Sequence, residues 1–219
     1  MRTSREYEKL REELLDAEAA LRDQRERVAE LRRALPTDTR VDDHDFREAV
    51  DGVVRDVRLS ELFSAPDRTL VLMHFMYGKK QERPCPMCTL WADGFNGFLP
   101  HLENALSVVL VSKDDPQTQR RFANSRGWRF RLASHGGGDY IREQTVMAGA
   151  DNMPGAVVFE RRGHRILRKN AAIFGPGDRY CSLWGLLGLA GLGESDWTPQ
   201  YNYWQRPAQL DDGGANLLD

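Results

Sequence analysis

Two short apolar runs, TLVLMHFMYG (69–78) and SVVLVSKDD (107–115), constrain the fold of this chain more than any other feature. Neither alternates apolar with polar residues, so neither suits a strand with one wet face; each needs cover on both sides. Between them Leu90, Trp91, Gly94, Phe95, Phe98, Leu99 and Leu102 repeat with helical period, and Pro100 is expected to kink that helix. The expected fold class is therefore α/β, a mixed sheet sandwiched between helices.

The flanking segments fit that frame. FREAVDGVVRDVRLSELF (46–63) reads as short strands around the turn Asp51-Gly52, then a helical turn from Leu59 to Phe63 capped by Ser60. Asp115-Pro116 is a cap followed by Pro at the first helical position, and the helix it opens ends at Gly127. WRFRLAS (128–134) alternates and reads as an edge strand, and HGGGDY (135–140) as a flexible loop. Met153-Pro154-Gly155 leads into AVVFERRGHRILRK (156–169), a hairpin turning at Arg162-Gly163, and CSLWGLLGLAGLG (181–193) is a closing helix. Trp197, Tyr201, Tyr203 and Trp204 are too many aromatics for a free tail, so its start is expected to pack on the domain.

Ahead of all this, Glu6 to Leu35 contains neither Pro nor Gly. Leu10, Leu14, Ala17, Leu21, Val28, Leu31 and Leu35 keep alternating steps of four and three, interrupted only by Gln24. That is a heptad seam. A narrow apolar stripe on so charged a helix needs a partner, either its own domain or a second copy in a homodimer. Pro36 ends it, and the Asp-rich PTDTRVDDHD reads as a connector. The chain thus divides into an amphipathic helix (1–36), a domain (37–204) and a polar, Gly-rich tail expected to be mobile (205–219).

A net charge of −2 offers no global attraction for phosphate backbones, and no apolar run reaches the roughly 20 residues a bilayer span needs. Neither nucleic acid nor membrane is an expected partner. The N-terminus is charged from its second residue and lacks the apolar core of a secretory signal, so the expected location is the cytoplasm. Three cysteines are too few for a disulfide scaffold, and two of them form Cys85-Pro86-Met87-Cys88. Cys181, among leucines, reads as a small buried hydrophobe.

In a reducing compartment a C-x-x-C means redox chemistry or metal. A structural zinc needs four ligands, and no second C-x-x-C or closely spaced His pair follows, so neither metal nor bound cofactor is expected. The pair sits where a buried strand hands over to a helix. Cys85 at the first turn would be held as thiolate by the exposed backbone N–H groups and the helix dipole, with Pro86 stiffening the turn. Cys88, one turn deeper, would be the more buried. Cys85 would then attack a substrate disulfide and Cys88 resolve the mixed disulfide.

HFMYG, CPMCTLWADGFNGFLPHL, VVLVSKDD and GWRFRLAS resemble the bacterial thioredoxin-like family of unknown function whose members are labelled predicted dithiol–disulfide oxidoreductases, within the thioredoxin superfamily. The likeness runs from about Phe46 to Trp204. It implies a thioredoxin-like three-layer domain and a thiol–disulfide oxidoreductase acting on protein or small-molecule disulfides, recharged by an external thiol donor. By position, Cys85 matches the attacking and Cys88 the resolving cysteine, and Pro154 matches the cis-proline beside the dithiol. Met153 would present backbone to substrate, with Trp91 as an aromatic contact although its periodicity suits the core. His74 stands where thioredoxins carry a buried acid, which makes it the candidate acceptor for the resolving thiol's proton. Two other readings remain. One is a thiol peroxidase, since residues 108–134 are also similar to a section of peroxiredoxins. Their Pro and Thr seven and three residues before the peroxidatic cysteine are replaced here by Gln81 and Cys85 before Cys88, and by Gly78 and Glu82 before Cys85. The other is a non-catalytic binding or assembly module.

Overall fold

The computed structural model describes residues 3–76, 84–193 and 195–199, in two compact units, Met1–Thr37 and Asp38–Asp219. The first unit is one helix, α1 (Arg5–Ala34). Ser4 Oγ accepts the Tyr7 N–H at 3.1 Å, Glu6 and Glu8 lie in the first turn, and Arg32 and Arg33 lie in the last, each placed to complement the helix dipole. Leu35 is already extended, as expected of a residue preceding proline.

In the second unit eight strands form one mixed sheet: β1 (Thr39–Val41), β2 (Asp45–Val50), β3 (Val53–Arg58), β4 (Leu70–His74), β5 (Ser107–Ser112), β6 (Arg131–Ser134), β7 (Gly155–Arg162) and β8 (Arg165–Ile173). Their order across the sheet is β1-β8-β7-β4-β5-β6-β2-β3. β5 runs parallel to both β4 and β6, and the remaining pairs are antiparallel. The helices are α2 (Pro86–Gly97), α3 (Leu99–Ala105), α4 (Pro116–Ser125), α5 (Asp139–Glu143) and α6 (Ser182–Leu189), with a 3-10 turn at Leu59–Leu62.

The two apolar runs are the adjacent central strands β4 and β5, and every residue of β5 is buried. Strand alternation splits their side chains between two cores. Leu70, Leu72, Val109, Val111, Ala133, Val157 and Phe159 face the 3-10 turn and α5, whose Tyr140 and Ile141 are buried against them. Met73, Val108, Leu110 and Leu132 face the other way, against Cys88 and Ala92 of α2, Leu99 of α3 and Ala123 of α4. Trp184 of α6 extends that second layer by packing with Trp91, Ala156 and Phe174. Helical elements thus cover both faces of the sheet.

Five local expectations change. The Asp-rich connector contains a strand, β1, because Thr39 to Val41 pair with Ile166 to Arg168 of β8. WRFRLAS is not an edge: β6 lies inside the sheet, and Arg47 of the β2–β3 hairpin pairs with its Ser134. HGGGDY is a tight turn through Gly136 and Gly137, both at positive φ, leading straight into α5. Pro100 breaks the helix rather than kinking it, so that α2 ends and α3 begins around Phe98. Ser60 does not cap the 3-10 turn; its N–H and Oγ both donate to the Asp43 carboxylate at 2.8 Å. Trp197 packs with Trp184, with ring centroids 6.1 Å apart, whereas Tyr201, Tyr203, Trp204 and the segment 205–219 lie outside the described residues. Among the described residues no helix is long and apolar enough to cross a membrane.

Glycines at two positions give opposite expectations. At Gly155, which opens β7 opposite His74, a Cβ would collide with the Ala172 carbonyl oxygen and crowd the Val146 methyls. At Gly94, inside α2, a Cβ would meet open space. Gly155→Ala should cost about 1–3 kcal/mol through overpacking, and Gly94→Ala should add about 0.5–1 kcal/mol through helix propensity. Urea midpoints of the two variants test both signs.

Candidate active site

Cys85 is the N-cap of α2, with extended φ and ψ of −69° and 125°, and Pro86 occupies the first turn. Its main chain is held on both sides. The Cys85 N–H donates to the Met76 carbonyl at 3.0 Å, tying it to the end of the β4 segment. The Cys85 carbonyl accepts from the Thr89 N–H at 3.0 Å and the Thr89 hydroxyl at 2.9 Å. Both cysteines are thiols; Cys85 is half-buried, whereas Cys88, one turn on, is 3% exposed among Met73, Phe75, Ala92 and Leu110.

That difference in setting separates their acidities. The Cys85 thiol is lowered to about 6, chiefly by a hydrogen bond from the Cys88 thiol and also by the N–H groups of Cys88 and Met87, with burial opposing. Cys88 is pushed well above the usual thiol range, first by burial and then by its neighbour Cys85. At neutral pH the first thiol is mostly thiolate and the second a protonated donor to it. The arrangement can deliver a nucleophilic sulfur at a partly open helix start, with a second sulfur held in reserve beneath it.

Pro154 is buried on the same side. Together with Met73, Phe75, Cys88, Trp91, Ala92, Phe95, Leu110 and Phe174 it walls a cavity of about 10 Å³, too small for any substrate. The structure thus brings Cys88, Trp91 and Pro154 to one cavity wall, with Cys85 and Pro86 just ahead of Cys88 at the helix start. Met153, half-buried, precedes Pro154 in the chain. The Met153–Pro154 bond is trans, against the cis expectation: trans is the ordinary preference of an X-Pro bond, and here the Pro154 carbonyl is taken by the Phe174 N–H at 2.9 Å.

Trp91 is not a surface platform. It is 2% exposed, lies 5.7 Å from the Phe174 ring, and has its Nε1 3.4 Å from Asp178 Oδ1. Met87, the second of the two variable positions of the C-x-x-C, is half-buried and packs against that cluster. Its type alone gave no signal.

His74 also departs from expectation. As the residue after Met73, it points to the opposite face of the sheet, where its Nε2 lies 2.8 Å from the Tyr140 hydroxyl. It is therefore not placed to take the Cys88 proton, although its strand position contributes to the small cavity's wall. His44 and His135 join it around Tyr140, with ring centroids 5.6, 5.7 and 5.9 Å away for His44, His74 and His135. His135 Nδ1 accepts the Gly137 N–H at 3.1 Å. His44 Nε2 is 3.2 Å from a Glu143 carboxylate oxygen, though not aligned as a hydrogen bond, and His74 Nδ1 has no hydrogen-bond partner among the described residues. Burial lowers His74 to about 3, with the His135 and Arg168 charges adding to it; burial and Lys113 lower His135 to about 4 against the pull of Asp151. This cluster escaped sequence reading because its members come from segments spread between residues 44 and 140. Among the described residues no group of three His, Cys, Asp or Glu side chains is arranged to hold a metal ion.

Residues 1–209 match the family described as "Bacterial protein of unknown function (DUF899)". The chain belongs to this family. No curated protein matches it. Among solved structures it resembles Enterococcus faecalis AhpC, at 14% identity and TM-score 0.51, over 71% of this chain and 95% of that one. The mitochondrial 2-Cys peroxiredoxin of Plasmodium falciparum (14%, TM-score 0.49, 71% and 94%) and a mutant of Xylella fastidiosa PrxQ (17%, TM-score 0.48, 72% and 98%) match less well. At these identities the likeness to AhpC shows the fold alone: this DUF899 chain has a thioredoxin-like three-layer domain preceded by a long helix.

Two titrations follow. Alkylation of Cys85 should rise with pH through a midpoint near 6, and Cys88→Ala, which deletes the stabilising donor, should move that midpoint upward; mass spectrometry of iodoacetamide-treated protein measures both. For His74 and His135 the folded forms bind protons less readily than the unfolded chain, whose histidines titrate near 6.5. Stability is then fully present above about pH 6.5 and falls as pH drops below it, by up to ~1.4 kcal/mol per pH unit for each histidine until the folded values are reached. Urea midpoints between pH 5 and 8 should show that slope, and His74→Gln should flatten it.

Proposed function

We propose that this chain is a thiol–disulfide oxidoreductase whose only redox centre is its own dithiol. The observation that carries the reading is the pairing of a half-exposed, low-pKa Cys85 at the start of α2 with a buried, protonated Cys88 one turn deeper. The Cys85 thiolate attacks one sulfur of a substrate disulfide, forming a Cys85–substrate bond and expelling the other sulfur as a thiolate. Cys88 then loses its proton and attacks the Cys85 sulfur, and the second substrate thiolate leaves. Two electrons have passed to the substrate, and Cys85 and Cys88 are joined as a disulfide. An external thiol donor reverses the last bond. Because His74 faces the other side of the sheet, the Cys88 proton goes to a departing thiolate rather than to that imidazole. Peptide or small-molecule disulfides approaching the half-exposed Cys85 are the expected substrates, in the cytoplasm.

A second reading, thiol peroxidase, rests on the same thiolate, which would also attack a peroxide O–O bond. The two reactions separate by variant. Cys85→Ser should abolish reduction of insulin or of an aromatic disulfide, and Cys88→Ser should trap Cys85 in a mixed disulfide seen by mass. If both variants reduce disulfides as fast as the parent chain, the oxidoreductase reading fails. Peroxide consumption that Cys85→Ser abolishes, in a parent chain that does not reduce disulfides, would favour the peroxidase.

A further inference from the structure

We propose that α1 pairs antiparallel with α1 of a second copy of this chain. The proposal concerns the helical unit and stands apart from the dithiol reading. The seam residues Leu10, Leu14, Leu21, Leu31 and Leu35 are each 51–56% exposed, and no residue of α1 is buried. With Ala17, Gln24 and Val28 they form a stripe of two positions in seven, the width of a coiled-coil seam rather than the broader face of a helix laid on a globular core. Only Leu15 among the helix's leucines falls outside it.

Charge selects the occupant and its direction. Residues 5–20 carry six acidic side chains (Glu6, Glu8, Glu12, Glu13, Asp16, Glu18) and three basic ones (Arg5, Lys9, Arg11), a net −3. Residues 21–35 carry five basic (Arg22, Arg25, Arg27, Arg32, Arg33) and three acidic (Asp23, Glu26, Glu30), a net +2. A second copy laid antiparallel sets each acidic half against a basic half. Full overlap of the seam places Leu10 against the partner's Leu35, Leu14 against the partner's Leu31, Ala17 against the partner's Val28, and Leu21 against the partner's Gln24. Each layer occurs twice by symmetry, over roughly 39 Å of helix. Beside the seam Glu18 meets the partner's Arg25, twice. The one unfavourable flank is Arg11 against the partner's Arg32, also twice, with each Arg11 3.9 Å from Glu18 of its own helix. A parallel pair would instead set Glu13 against the partner's Glu18 and Arg27 against the partner's Arg32, two repulsions against the single attraction of Glu6 for the partner's Arg11.

The test is sedimentation equilibrium of the full chain under reducing conditions, which removes any contribution from intermolecular disulfides. The parent chain should be a dimer. Glu18→Arg and Arg25→Glu should each weaken it about tenfold, since two attractions become two repulsions, and the double variant Glu18→Arg/Arg25→Glu should restore it. A monomeric parent chain overturns the proposal, as would a helix folded onto its own domain. Single variants without effect overturn it, because the dimer would then use another surface. Glu18→Arg tightening the dimer overturns it in favour of a parallel pair.

Discussion

The burial of β4 on both faces is the constraint on which the rest of the domain depends. A strand alternates its side chains, so five residues serve two separate cores: Leu70 and Leu72, both fully buried, close one, and Met73 closes the other. Helices must then lie on both sides of the sheet, and the chain leaving β4 must enter one of them. It enters α2, and the entry point is Cys85. The hydrogen bond from the Cys85 N–H to the Met76 carbonyl is the joint between strand and helix. The dithiol is located by the same burial that stabilises the sheet.

Alternation also separates two polar systems that the sequence sets close together. Met73 belongs to the layer containing the dithiol, whereas His74, one residue on, belongs to the layer containing Tyr140, His44 and His135. One layer holds a thiolate stabilised by backbone and thiol donors. The other holds His74 and His135, both kept neutral by burial, which makes the domain sensitive to acid on the sheet face opposite the dithiol.

The sheet's central strands, the β7–β8 hairpin and the cysteine positions were legible because each depends on local pattern: continuous apolar runs, a turn glycine at positive φ (Gly163), a Pro just inside a helix start. What escaped depends on distant partners. β1 is three residues that become a strand only because β8 offers an edge, and β6 is interior only because the β2–β3 hairpin extends the sheet past it. The role for His74 came from matching its position to the buried acid of thioredoxins; counting residues along the strand from Met73 assigns its side chain to the other face. Trp91 followed its helical period into the core, as its pattern implied, and the segment 78–83 before Pro84 lies outside the described residues.

In the proposed reaction the acidity of Cys85 sets the direction. A stabilised thiolate favours the reduced dithiol, so lowering the thiol pKa raises the potential of the pair. With Cys85 near 6, between thioredoxin's roughly 7 and the roughly 3.5 of a strong oxidant, the dithiol should be more oxidising than thioredoxin. Equilibration of the full chain against glutathione, with the Cys85–Cys88 disulfide quantified by mass, tests this most directly. The account predicts a two-electron couple lying between about −270 and −120 mV. A potential at or below thioredoxin's, or no Cys85–Cys88 disulfide at any glutathione ratio, would contradict it.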